Sequence, residues 1–101
     1  GNYHFDDFKP IFKIVVLLDD VSEKIGAQTC IIPQSCHDKD LKNFLFNKKE
    51  IDIQLIEEKK KKYGVYNCYG KKGDIFLMDT RNIHWGAKLN SGYRRVLWYY
   101  F

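Results

Sequence analysis

The apolar residues of this chain come in short runs closed by turn formers, and that pattern limits the fold more than any other feature. The longest run, Ile14 to Leu18, is too short to cross a bilayer. It belongs to "FKIVVLL", residues 12–18, which is rich in β-branched side chains, stops at Asp19-Asp20 and reads as a buried strand. "SEKIG" (22–26) follows as a turn ending in Gly, and "AQTCIIP" (27–33) as a second strand stopped by Pro33. The last third repeats the pattern with "VYNCY" (65–69), the turn "GKKGD" (70–74), "IFLM" (75–78) and "IHWGA" (83–87). The turn "LNSG" (89–92) and "YRRVLWYYF" (93–101) close the chain. Short strands separated by Gly and Asn turns predict a mainly β domain, a sandwich or barrel.

The middle breaks the pattern. In "DKDLKNFLF" (38–46), Leu41, Phe44 and Leu45 share a helical face and Asp38 stands where an N-cap belongs. Residues 50–63, "EIDIQLIEEKKKKY", carry two signals. Ile51, Ile53 and Leu55 alternate as in a strand, while Glu57 with Lys61 and Glu58 with Lys62 pair as in a helix. A helical insert around 38–63 is the expectation.

A length of 101 residues predicts one domain or part of one, and 45% hydrophobic content is too high for a disordered tail. Cys30, Cys36 and Cys68 form no CxxC pair and read as reduced thiols of a cytoplasmic protein rather than zinc ligands. A net charge of +4 with abundant Tyr raises single-stranded nucleic acid as a partner. Two of the lysines in 59–62 face Glu57 and Glu58 at helical spacing, however, and excess charge alone gives only non-specific attraction, so nucleic acid is not expected. No membrane partner is expected either.

Chemistry enters with "YHFDD". In a strand, positions i and i+2 share a face, so His4 and Asp6 project together while Asp7 points away. His84, between Ile83 and Trp85, supplies a second imidazole. Either it is a satisfied core histidine, or it completes two His and one carboxylate, the arrangement that holds non-haem Fe(II) with coordination positions open for O2. A 2-oxoglutarate co-substrate needs a bidentate cation for its distal carboxylate. Arg94 and Arg95 follow His84 at the start of a strand, and alternation lets only one of them point inward.

The order "YHFDD", "FKIVVLLDDVSEKIGAQTCIIPQSCH", "GDIFLMDTRNIHWGAKLNSGYRRV" resembles the C-terminal catalytic part of the phytanoyl-CoA dioxygenase-like family. The resemblance covers nearly the whole chain except residues 38–70. It implies a double-stranded β-helix of jelly-roll or cupin type, with Fe(II) bound by His4, Asp6 and His84. It places 2-oxoglutarate on Arg94, with Arg95 as the alternative. The implied activity is hydroxylation of a small organic substrate with O2. In the family's Pro-Gly-Ser-His corner, Gln34 replaces Gly and Cys36 intervenes before His37; that corner is structural, so His37 is not expected as a ligand. The chain opens on Gly, with three residues before His4, which predicts a C-terminal fragment of a longer chain whose fold is incomplete at the N-terminus. A β-barrel binding module that keeps the fold without turnover is the alternative.

Overall fold

The computed structural model describes residues 12–46 and 52–100. Among these residues are six strands: β1 (Phe12–Leu17), β2 (Thr29–Ile31), β3 (Tyr66–Asn67), β4 (Ile75–Asp79), β5 (His84–Gly86) and β6 (Val96–Tyr100). Two helices, α1 (Lys39–Phe46) and α2 (Ile53–Tyr63), follow a 3-10 turn at Ser35–His37. The strands form two antiparallel sheets, ordered β4-β1-β6 and β3-β2-β5.

Register decides which side chains meet. Val15 lies opposite Phe76 and Trp98, and Leu17 opposite Val96, so these residues share one face of the first sheet. Val15, Leu17 and Met78 are buried there with Val21, and Ile31 of the second sheet packs against them. The core therefore lies between the sheets. The other face of the first sheet carries Ile75, Leu77, Leu97 and Tyr99, all exposed.

A second cluster, Ile32, Leu41, Ile56 and Ile83, joins the helices to the second sheet. It explains how the mixed signal of 50–63 resolves into α2. The Asp52 carboxylate caps the helix by accepting the Leu55 N–H at 3.2 Å. Ile56 turns inward while Ile53 stays exposed, which a strand alternating at Ile51, Ile53 and Leu55 would not give. Asp38 caps α1 as its position predicts, accepting the Leu41 N–H at 3.1 Å. The expected Glu57–Lys61 pairing gives way to Glu57–Lys60 at 2.9 Å, one helical step shorter.

The second strand is shorter than its sequence predicts. Gly26 and Ala27 both adopt positive φ, 76° and 58°, and delay extended backbone until Thr29. Gly26 also lies against the Lys88 carbonyl so closely that a Cβ would collide with it. Among the described residues, no helix is long and apolar enough to cross a membrane.

Candidate active site

β5 is set in place by a corner. Ser35 is buried; its hydroxyl donates to the Ile32 carbonyl at 2.7 Å and accepts the Ile83 N–H at 2.8 Å. The Ile32 N–H donates to the Ile83 carbonyl at 2.9 Å, and Asn82 Oδ1 accepts the Cys36 N–H at 3.0 Å. Gln34 takes the left-handed conformation, φ 63°, that a glycine at this corner would adopt without steric cost. His37 is exposed and does not line the cleft that holds His84.

Held this way, His84 is buried, and its Nδ1 lies 2.8 Å from the Asn82 carbonyl. A carbonyl only accepts, so Nδ1 carries the proton and Nε2 holds the lone pair. A backbone carbonyl on one ring nitrogen is how metal-binding histidines are commonly oriented. The donor chemistry of His84 therefore fits a metal.

His84 lines a cleft of about 160 Å3 between the sheets, together with Thr29, Arg94, Lys13, Val96 and Trp98. Arg94 is half-buried, and its one side-chain hydrogen bond among the described residues is a long 3.5 Å contact to Thr29 Oγ1. Its Nε is buried without a partner among the described residues. Burial pulls its pKa down from the usual guanidinium value, yet it remains a cation. A buried donor left unpaired is unfavourable and rare, and it marks a place where a ligand atom would be stabilised. Lys13, His84 and Arg94 are all basic, and no Asp or Glu lines the cleft among the described residues.

Arg95 points elsewhere. Its Nε and a terminal nitrogen donate to the Asp19 carboxylate at 2.9 and 3.1 Å, and its side chain is 63% exposed. The structure thus brings His84 and Arg94 to one cleft and turns Arg95 to solvent. His4 and Asp6 lie outside the described residues. Among the described residues, no three His, Cys, Asp or Glu side chains gather as a metal site. The cysteines are free thiols; burial pushes Cys68 up to about 11 and raises Cys30 and Cys36 as well, so none is poised as a nucleophile.

Two residues of the cleft escaped the sequence reading. Thr29 carries no distinctive signal. Lys13 does: it stands at an inward position of a strand whose next two inward residues, Val15 and Leu17, are buried and apolar.

No protein-family description matches the chain, and no curated protein matches it. Solved structures do. EctD from S. alaskensis, with bound Fe, matches with a TM-score of 0.66 at 20% identity over 88% of this chain. HygX from Streptomyces hygroscopicus, with iron bound, matches with a TM-score of 0.56 at 16% identity over 96% of it, and apo HygX matches equally well. The chain spans 30% of EctD and 40% of HygX, less than half of either. At this identity the likeness concerns the fold: mainly β, with two antiparallel sheets of cupin or jelly-roll type.

Proposed function

We propose that this chain carries the catalytic core of a non-haem Fe(II)- and 2-oxoglutarate-dependent oxygenase that hydroxylates a small organic substrate, akin to the phytanoyl-CoA dioxygenase-like enzymes. The observation that carries the reading is one cleft holding both a buried imidazole anchored at Nδ1 and a half-buried guanidinium with an unpartnered Nε. The iron bound in both EctD and HygX supports it.

In this reading His84 Nε2 joins His4 and Asp6 as iron ligands. When bound, iron with 2-oxoglutarate supplies the activation of O2 for C–H hydroxylation. The residues of the chain bind and orient. Asn82 fixes the ring of His84, Arg94 takes the distal carboxylate of 2-oxoglutarate, and Thr29 shares that end of the cleft. Val96 and Trp98 narrow the space and limit water.

The test is anaerobic Fe(II) titration of the wild type and of His4→Ala, Asp6→Ala and His84→Ala, with succinate formation measured once O2 is admitted. Each variant is expected to lose iron affinity. Full affinity in His84→Ala sinks the ligand set. Tight 2-oxoglutarate binding without succinate, in protein that holds iron, would favour the binding module over the oxygenase.

A further inference from the structure

The inward face of β1 ends in a lysine. Lys13 lies opposite Met78 on one side and Tyr100 on the other, in line with Val15 and Leu17. On β1, Leu17 and Val15 are buried, 2% and 4% exposed, and Lys13 is partly exposed; across from Val15 and Lys13 on β6, Trp98 and Tyr100 are 52% and 45% exposed. Among the described residues that line the cleft, Val15 is on its buried side and the partly exposed Lys13 and exposed Trp98 are at its mouth. The Lys13 ammonium stands over both mouth rings, 5.2 Å from the Trp98 centroid and 5.4 Å from that of Tyr100. Two aromatic faces hold a cation in place without neutralising it. Among the described residues it meets no carboxylate, and their ion pairs lie elsewhere.

The same cleft is therefore lined by two cations with different neighbours. Arg94 lies beside Thr29 and His84, on the second sheet's side. Lys13 is at the mouth, on the first sheet, between aromatic rings. A single 2-oxoglutarate gripped by Arg94 leaves Lys13 for another anion. An anionic group met at a basic, aromatic-walled mouth gains charge attraction, and an apolar body attached to it gains contact with Trp98 and Tyr100.

We propose that Lys13 is the specificity-determining residue for the substrate: it selects an organic anion, a carboxylate or phosphate on an apolar body, by pairing with that charge at the cleft mouth. The inference rests on the oxygenase reading for calling this ligand the substrate. Its anion-binding core stands apart from that reading.

Both tryptophans of the chain border this cleft, so intrinsic fluorescence reports on it directly. The probe is hexanoate, titrated against wild type, Lys13→Met, Lys13→Arg and Arg94→Met, with and without saturating 2-oxoglutarate; hexanol is the neutral control. Hexanoate is expected to change the wild-type signal with 2-oxoglutarate present and to bind far more tightly than hexanol. In Lys13→Met its affinity should fall at least tenfold, in Lys13→Arg it should stay within threefold, and 2-oxoglutarate affinity should stay within twofold in both. Equal melting temperatures establish that a lost response is a lost charge. Should Lys13→Met fail to fold, the charge-keeping Lys13→Arg decides, its retention of binding supporting the proposal and its loss overturning it. The proposal falls if wild type ignores hexanoate, if hexanol binds as well, or if Lys13→Met binds hexanoate normally. It falls too if Lys13→Met loses 2-oxoglutarate, because Lys13 would then belong to the co-substrate. The oxygenase reading fails differently: wild type then shows no Arg94-dependent 2-oxoglutarate response, while hexanoate alone still reports on Lys13.

Discussion

Lys59 and Arg94 are both cations drawn out of water, and the protein treats them in opposite ways. The Lys59 side chain is 6% exposed, and its ammonium meets Asp38 at 3.0 Å and Asp40 at 2.8 Å. The Tyr63 hydroxyl completes the group by donating to the same Asp38 oxygen that Lys59 reaches. Arg94, in contrast, has among the described residues one long contact and a buried Nε without a partner. The first arrangement holds α2 against the start of α1. A satisfied buried charge belongs to the structure; an unsatisfied one, beside an oriented histidine, is what the proposed reading assigns to a ligand.

The contrast breaks most visibly under substitution. Lys59→Met should destabilise the domain by roughly 3 kcal/mol, because it strands the buried Asp38 carboxylate without its cation. Thermal or urea unfolding reads this. An unchanged melting temperature would show that Tyr63 and the Leu41 N–H suffice, and that Lys59 is ornament.

Acid probes the same group from the carboxylate side. Burial alone would raise the Asp38 pKa, but the Tyr63 hydroxyl, Lys59 and the Leu41 N–H outweigh it and bring it to about 2, against an ordinary 3.8. A depressed folded pKa gives stability that is present above the unfolded value and lost as pH falls through the folded one. The network should therefore contribute on the order of 2 kcal/mol above about pH 4, falling away toward pH 2. Lys59 is shifted upward, first by Asp40 and then by Asp38, so its share persists through neutral pH and fails only in strong alkali. Lys59→Met should flatten the acid limb of the stability profile. An equally steep limb in the variant would place the acid sensitivity elsewhere.

Arg94→Met should move binding without harming the fold. Loss of a charge-assisted bidentate partner, at about 1.5–3 kcal/mol per bond, should weaken 2-oxoglutarate at least tenfold. The melting temperature should hold or rise, since a buried, poorly paired cation has been replaced by an apolar chain. Calorimetric titration and a thermal melt on one preparation test both halves. A fall in stability comparable to that of Lys59→Met would mean that Arg94 is structural, and the contrast would dissolve.

Much of this frame was legible in the sequence because it is local. The strands at 12–17 and 75–79 follow from β-branched runs with turns at their ends, and the caps of Asp38 and Asp52 from residue type and position. What depended on distant partners was not legible. Residues 53–63 became helix because Ile56 found Ile32, Leu41 and Ile83. Lys59 sits in a run of four lysines that reads as a solvated face, and only the fold brings Asp38 beneath it. The cleft was half legible. His84 and Arg94 stand out by type and order, whereas Lys13 acquires meaning only when Trp98 and Tyr100 arrive from the far end of the chain.

The smallest expected effect discriminates most finely, because it sets neighbouring arginines against each other. Arg95 is exposed, and its fork is engaged by Asp19, whose pKa is lowered first of all by that hydrogen bond. Such a pair is screened by solvent and salt and faces away from His84. Arg95→Ala should leave 2-oxoglutarate affinity within twofold of wild type. The Arg95 backbone N–H, which also donates to Asp19 at 2.9 Å, survives the change and keeps the strand entry in register. The Asp19 carboxyl should then titrate closer to its ordinary value, a shift that NMR of the carboxyl carbon follows directly. A loss of 2-oxoglutarate in Arg95→Ala larger than in Arg94→Met would mean that the strand enters the cleft one residue out of register. Arg95 would then be the co-substrate's partner, and Arg94 the arginine without a function.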